Sequence, residues 1–300
     1  MNEKQIFALG FFDGVHLGHQ ALLRACVSLA LETGAAAGAI TFQQHPKTLL
    51  SSSAPRTINT LEDRVRLLEE YGIRRVYPLP VTPEVMSTPW EDFLQDLLAR
   101  GAAGFVCGDD FRFGSRGLGT AETLRDFCRD RGLPCVIVPE QTRGSTRISS
   151  TRIRELLEAG EMEEAVALLG HPHILSGKVV HGQGLGHTMG IPTANLRIPH
   201  GVVVPRYGVY AARCRVDGRA YAAVTNIGVR PTVSGTGVTV EPWILNFQES
   251  LYDRDITLEF YAFLRPEQRF SDLDALQAQI RQDGARAVRL LAELEAYKDS

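Results

Sequence analysis

The sequence predicts an α/β chain in two parts: an N-terminal doubly wound parallel sheet, then a C-terminal antiparallel barrel or sandwich with a terminal helix. Three observations predict it. Through the first half, short apolar runs alternate with helical patterns, the mark of βαβ units. From about residue 175 the runs become rich in Val, Ile, Tyr and Phe and are divided by Gly, Pro and Asp turns such as Val216-Asp217-Gly218-Arg219, as in short antiparallel strands. The length of 300 residues suits two domains at ~150 residues each.

Residues 5–10 read as a short buried strand ending at glycine. A turn with Gly and His follows, then an apolar helical stretch from about Gln20 to Leu31. Residues 35–42 read as a second strand. Leu61, Val65, Leu67 and Leu68 form an apolar stripe that makes residues 61–71 helical. Strands are expected at 75–79, 104–108 and 135–138, with helices at 90–99 and 120–131 between them. Right-handed crossovers then cover both faces of the sheet. Residues 150–169 read as two short helices broken near Gly160 and ending at Gly170-His171-Pro172, which divides the chain into domains 1–170 and 171–300. Beyond this, strands are expected at 175–180, 208–216, 220–227, 239–247 and 256–264. A final amphipathic helix covers about 273–297, with an interruption expected at Asp283-Gly284.

A net charge of −3 supplies no basic field to draw the chain to nucleic acid or to a membrane. Phosphate binding therefore has to come from helix N-termini and individually placed cations. Arg143, Arg147, Arg152 and Arg154 suit a nucleotide pocket better than a DNA-binding surface. The apolar run before Asp13 is too short for a signal peptide, and no run reaches the ~18 apolar residues of a membrane span, so the expected compartment is the cytoplasm. Cys26, Cys107, Cys128, Cys135 and Cys214 lack metal-pair spacing; reduced thiols are expected rather than a zinc site or a disulfide framework.

The segment from Gly10 to His19 (GFFDGVHLGH) joins the first strand to the first helix, at the edge of the sheet where open α/β folds bind ligands. Gly10, Gly14 and Gly18 let backbone approach a phosphate, and the helix start offers unpaired N–H groups. His16 and His19 are three apart, so in a helical turn both can face one phosphate. Residues 148–154 (ISSTRIR) follow the fifth strand; Ser150 or Thr151 is placed to cap a helix, and with Arg154 to hold a departing pyrophosphate. Between them, Asp110 stands ready to bind ligand or shape its loop, and Phe111 and Phe113 to stack on a planar ring. Each feature alone has an ordinary structural use: a packed histidine pair, a helix cap, core phenylalanines. Their meeting at strand ends of one domain is what points to nucleotidyl transfer, a reaction run by positioning and charge stabilisation.

In the second half, Gly182, Gly184, Gly186 and Gly190 mark a loop able to wrap a polyphosphate with its N–H groups, though it lacks the Gly-Lys-Ser/Thr of a P-loop. Thr193 and Asn195 flank Ala194 and would point the same way in extended chain, an oxygen pair that suits Mg²⁺ or simply the start of a strand. Glu241 is the one carboxylate of an otherwise apolar strand, fit to take a proton from an attacking hydroxyl or to face solvent. Pro242 beside it argues for an edge strand or a strand end.

Taken together, these segments resemble those of the bacterial bifunctional riboflavin kinase/FMN adenylyltransferase family. That family carries G-x-FDG-VH-x-GH, TF-x-x-HP, GxDFRFG and ISSTRIR in its first module, matched here by residues 10–19, 41–46, 108–114 and 148–154. Its kinase module carries PTAN, GVYA, TNIGxRPT, VE-x-x-x-L and LRxExxF, matched by residues 192–195, 208–211, 225–232, 240–245 and 264–270. The chain departs from the pattern at Phe11, commonly Asn; at Gln43-Gln44, commonly Asp-Pro; at Ile191, commonly Phe; and at Pro242-Trp243. The resemblance runs from about Phe7 to Asp283. It implies a Rossmann-like nucleotidylyltransferase domain and a six-stranded Greek-key β-barrel with a C-terminal helix. It also implies ATP-dependent conversion of riboflavin to FMN with release of ADP, then of FMN to FAD with release of pyrophosphate. In its terms Thr193 and Asn195 hold Mg²⁺ and ATP phosphates, Glu241 is the general base, and Arg265 joins Asp110, Phe111 and Phe113 as a flavin contact. Two other readings are a riboflavin kinase whose first module no longer adenylylates FMN, and a flavin or nucleotide sensor without turnover.

Overall fold

A computed structural model describes residues 3–49, 54–180, 191–232 and 235–298, with side chains left aside at 230–236 and 297–298. The chain forms two compact units, Met1–Arg152 and Ile153–Ser300.

The first unit contains β1 (Gln5–Leu9), α1 (Leu17–Thr33), β2 (Ala36–Phe42), α2 (Leu61–Glu70), β3 (Arg75–Leu79), α3 (Pro83–Ser87), α4 (Trp90–Ala99) and β4 (Ala102–Gly108). It continues with β5 (Arg112–Phe113), β6 (Gly119–Thr120), α5 (Ala121–Arg129), β7 (Cys135–Val138), and the hairpin strands β8 (Thr142–Arg143) and β9 (Thr146–Arg147). Five parallel strands lie in the order β3-β2-β1-β4-β7. This is the doubly wound order, and its reversal falls between β1 and β4, where such sheets open a ligand crevice beyond the strand ends. All five residues of β1 are buried, as a central parallel strand with both faces covered requires. Phe7, Leu9, Phe105 and Cys107 pack with Leu124 and Phe127 of α5 and Leu94 and Leu97 of α4 into one core.

Helix α6 (Ser150–Ala159) crosses into the second unit, followed by α7 (Met162–Leu169). Both are tied to the later chain: Leu157 O accepts the Arg206 N–H at 2.9 Å, and Glu163 Oε2 accepts the Phe263 N–H at 3.4 Å. The break between them is Gly160, whose φ of 83° suits glycine. Strands β10 (His173–Val180), β11 (Asn195–Leu196), β12 (Gly208–Val216), β13 (Arg219–Thr232), β14 (Gly235–Ile244) and β15 (Asp255–Arg265) close a barrel in the order β10-β11-β14-β13-β12-β15. The run β15-β12-β13-β14 is a Greek key, the fourth strand returning beside the first. Helix α8 (Leu273–Lys298) packs Ala287 and Leu290 onto Val209, Val224, Ala262 and Leu264 of the barrel.

Two expectations are corrected and one is sharpened. Helix α8 is not interrupted at Asp283-Gly284. Gly284 is there for space: a Cβ would lie 2.7 Å from Cζ3 of Trp243. Pro242 is not on an edge strand; it pairs with Thr225 of β13, two residues before β14 ends, close to the expected strand end. Its carbonyl accepts the Ala194 N–H, so its missing N–H faces the same flank, where β11 is two residues long and little pairing is forfeited. Finally, β13 runs longer than the pattern 220–227 suggested, paired with β14 from Ala223 to Thr232.

Candidate active sites

The first site grows out of the turn between β1 and α1. Phe12 and Val15 have φ of 56° and 41°, and Gly14 has 82°. Two non-glycine residues in the left-handed region cost about 1–3 kcal/mol each, so the surroundings must over-determine the turn. They do. Asp13 is buried and takes the Ile58 N–H on Oδ1 at 2.8 Å. Gln20 Nε2 donates to Val15 O at 2.9 Å, and Ser150 Oγ to Asp13 O at 2.8 Å. Glycine at 18 leaves the His16 ring room: a Cβ would stand 3.1 Å from its Cε1, a tight contact.

Helix α1 begins earlier than the apolar pattern indicates, at Leu17, so His16 is its N-cap and His19 lies in its first turn. His16 Nδ1 accepts the His19 N–H at 3.3 Å, which places the His16 proton on Nε2. The two rings stack, centroids 3.7 Å apart and 16° between planes. Phe12 meets His19 edge-on at 5.4 Å. Burial, then the charges of His16 and Arg64, hold the His19 imidazolium well below its usual range, so His19 is a neutral imidazole at neutral pH. The structure thus brings together both histidines, Gly10, Gly14 and Gly18 at a helix N-terminus on the switch point of the sheet.

Sequence reading missed Arg64. It is 1% exposed. Its guanidinium donates to Phe42 O at 2.6 Å, Phe11 O at 3.2 Å and Gln43 O at 3.4 Å, and stands 4.5 Å over the Phe11 ring. One cation therefore joins the ends of β1 and β2. The available signal was an arginine set within the apolar stripe of α2, three residues after Leu61 and four before Leu68.

The end of β4 supplies the next group. Asp110 is exposed and ion-paired with Arg147 at 2.9 Å. Phe111 and Phe113 stack on each other at 5.6 Å and 14°, with Phe113 buried. Both line a cavity of ≈ 170 Å³ whose walls include Gly10, Ile40, Met86 and Phe93. A mostly apolar cavity with Gly10 in its wall, in the same unit as the histidines, is suited to a planar ring.

At the start of α6, the cap is Ser149, whose Oγ accepts the Arg152 N–H at 3.2 Å. This corrects the assignment of that role to Ser150 or Thr151: Ser150 turns back to Asp13, and Thr151 is exposed. Arg154 lies one turn along α6 from Ser150, within the second unit.

In the barrel, Glu241 is 8% exposed on β14 opposite Asn226 of β13, so the two share a face. Trp243, two residues on, packs against Gly284, which makes this the face covered by α8. Asn226 Nδ2 donates to Glu267 Oε1 at 3.3 Å. Arg265 is held by Asp283 of α8 at 2.8 Å. A cavity of ≈ 330 Å³ is lined by Pro242, Ile244, Thr193, Phe247, Gln248 and Tyr252, among others. Thr193 reaches β14 through a bridge to Trp243, and Asn195 opens β11 against Val180. The bridge sets Thr193 on the face of Trp243, and the Leu196–Val240 pair brings Asn195 opposite Glu241, so the register puts Thr193, Asn195 and Glu241 on one face. Gly182, Gly186 and Gly190 lie outside the described residues.

A family model for FAD synthetase matches residues 1–152, and one for riboflavin kinase matches residues 169–291. A bifunctional riboflavin kinase/FMN adenylyltransferase of Listeria monocytogenes is 34% identical over 295 residues, covering 97% of this chain and 94% of the relative. One of Escherichia coli K12 is 35% identical over 282 residues, covering 93% and 90%. A crystal structure from Streptococcus pneumoniae, described as a macrolide-efflux protein, superposes with a TM-score of 0.85 at 31% identity over 94% of this chain and 93% of that one. Among the described residues of this chain, no helix is long and apolar enough to cross a membrane. With two family matches in the expected order and relatives aligned over nearly their whole length, the chain belongs to the bifunctional riboflavin kinase/FMN adenylyltransferase family.

Proposed function

We propose that the chain converts riboflavin to FAD in two ATP-consuming steps, one in each module. The observation that carries the reading is the stacked His16–His19 pair at the α1 N-terminus, in the unit that holds the apolar cavity, with Glu241 buried on a separate barrel. Module boundaries at 170 and 171 keep α6 with the first module, because that helix carries Ser150, Thr151 and Arg154.

In the barrel module, Glu241 accepts the proton of the ribityl 5′-hydroxyl as its oxygen attacks the γ-phosphorus of ATP, and ADP leaves with FMN formed. Thr193 and Asn195 offer neutral, hard oxygens that would hold Mg²⁺. Among the described residues no cluster of three His, Cys, Asp or Glu competes for a metal. When bound there, the ion neutralises phosphate charge. Gly182, Gly186 and Gly190 are assigned to the phosphate loop.

In the first module, a phosphate oxygen of FMN attacks the α-phosphorus of ATP and pyrophosphate departs. Gly10, Gly14 and Gly18 let the N–H groups at the α1 start meet phosphate oxygens. His16 and His19 donate hydrogen bonds to the charge that develops on the transferred group, and rings already held by packing need no reorganisation to do so. Ser150, Thr151 and Arg154 hold the leaving pyrophosphate. Phe111 and Phe113 take the flavin ring, with Asp110 at its rim. The reaction needs ATP and soluble flavin, and we assign it to the cytoplasm with no nucleic-acid or membrane partner.

The test is a time course of the full chain with riboflavin, ATP and Mg²⁺, the flavins resolved by chromatography. FMN should rise first and FAD follow. FMN that accumulates without FAD, with pyrophosphatase present, would remove the first-module assignment; no product would remove both.

A further inference from the structure

Helix α8 runs unbroken through Asp283 and Gly284, and both residues serve the barrel face that carries Glu241. Gly284 lets the helix sit directly on Trp243. That close seat brings the preceding residue onto Arg265. Asp283 Oδ2 accepts from Arg265 Nε at 2.9 Å and from Nη2 at 2.8 Å, while Oδ1 accepts from Gln279 Nε2 at 3.0 Å. The Asp283 side chain is 5% exposed and that of Arg265 17%. One turn onward Arg286 Nη1 donates to Leu264 O at 3.0 Å, fixing the residue before Arg265 as well.

Exposed ion pairs do little to fix a side chain, because the long arms keep their freedom. This pair is different: it is buried, both carboxylate oxygens are engaged, and the Nε/Nη2 edge of the guanidinium is fixed as a planar fork. Arg265 Nη1 donates to Pro266 O at 3.2 Å. Of the five N–H groups of a guanidinium, these contacts use three, which leaves two for an acceptor on a ligand.

We propose that Asp283 is a positioning residue for the phosphorylation step: it sets the Arg265 guanidinium in the place from which it contacts the flavin. The proposal rests on the reading of Arg265 as a flavin contact of a riboflavin kinase module. Asp283 itself does not touch substrate. Its effect is to remove the rotameric freedom that Arg265 would otherwise lose on binding, so it acts on riboflavin affinity rather than on the chemical step.

The experiment uses the full chain and measures KM and kcat for FMN formation in Asp283→Asn, Arg265→Met and the double variant, alongside FAD formation from supplied FMN. Asp283→Asn, close to isosteric, should raise the riboflavin KM about tenfold, as loss of a charged hydrogen bond does, with kcat changed far less and FAD formation unaltered. Arg265→Met should raise KM at least as much, and the double variant no further, because Asp283 acts through Arg265. If Asp283→Asn does not fold, Gln279→Ala, which removes one anchor of the carboxylate, should give a smaller rise in the same direction. A folded Asp283→Asn with unchanged KM beside a raised KM in Arg265→Met overturns the proposal alone, as does a double variant whose effects simply add. An unchanged KM in Arg265→Met overturns the reading of Arg265 on which the proposal stands.

Discussion

Arg64 offers the sharpest test of how the first site is built. Arg64→Met keeps the apolar length of the stem and removes the guanidinium. Three carbonyls then lose a donor, at 2.6, 3.2 and 3.4 Å, and the Phe11 ring loses the cation above it. The two shorter bonds are charge-assisted and worth about 1.5–3 kcal/mol each. Their joint loss is about 3–6 kcal/mol, and because the partners are neutral carbonyls no charge is left stranded. A loss of that size falls on the ends of β1 and β2, from which the His16–His19 turn springs. The misplacement should reduce FMN adenylylation about a hundredfold or more, while riboflavin phosphorylation by the barrel stays as it was. Arg64→Lys keeps a charge but has one ammonium for three carbonyls, so it should fall between. The assay pairs denaturant unfolding of the full chain with both activities measured separately. An Arg64→Met protein with unaltered unfolding midpoint and unaltered adenylylation would refute the reasoning.

Three further outcomes are expected. His173 is 0% exposed, neither ring nitrogen has a hydrogen-bond partner among the described residues, and burial pushes its pKa down to about 3. Because the unfolded chain binds that proton near pH 6.5, stability is full above about 6.5 and is lost as pH falls toward 3; from pH 7 to 5 the loss is about 2 kcal/mol. His173→Leu should flatten that part of the stability–pH curve, read by denaturant titration at each pH. Gly284→Ala puts a methyl 2.7 Å from the Trp243 ring, so it should lower thermal stability and, because Trp243 is two residues from Glu241, reduce kcat for FMN formation more than KM. Phe111→Ala should raise the KM for FMN in adenylylation without changing riboflavin phosphorylation, since Phe111 lines the cavity beside Gly10.

The sequence made the two fold classes legible because each has its own period. The apolar run of β1 after Gln5 marked a buried strand of a parallel sheet, and the valine- and tyrosine-rich segments after His173 marked antiparallel strands of a barrel or sandwich. What it hid has physical causes. Strand β11 is two residues long, too short for any alternation to show. Asp283-Gly284 looked like a helix stop because Gly and Asp disfavour helices locally, whereas here tertiary contacts with Trp243 and Arg265 decide. The two histidines could be placed by spacing, but not their stacking, which depends on the left-handed turn at Phe12 and Val15. Arg64 was marked only by its place within the apolar stripe of α2, because its partners, three backbone carbonyls, leave no trace in side-chain chemistry. Ser149 and Ser150 are adjacent hydroxyls, and only the fold separates the cap from the bond to Asp13.

The central claim, one activity in each module, is tested most directly by crossing two substitutions with two substrates in the full chain. His19→Ala and Glu241→Ala are each given riboflavin with MgATP, and separately FMN with MgATP, and the flavins are resolved over time. His19→Ala should form FMN from riboflavin and fail to form FAD from either substrate. Glu241→Ala should leave riboflavin unchanged and form FAD from FMN. A single substitution that abolishes both reactions in a folded protein would contradict the division of labour.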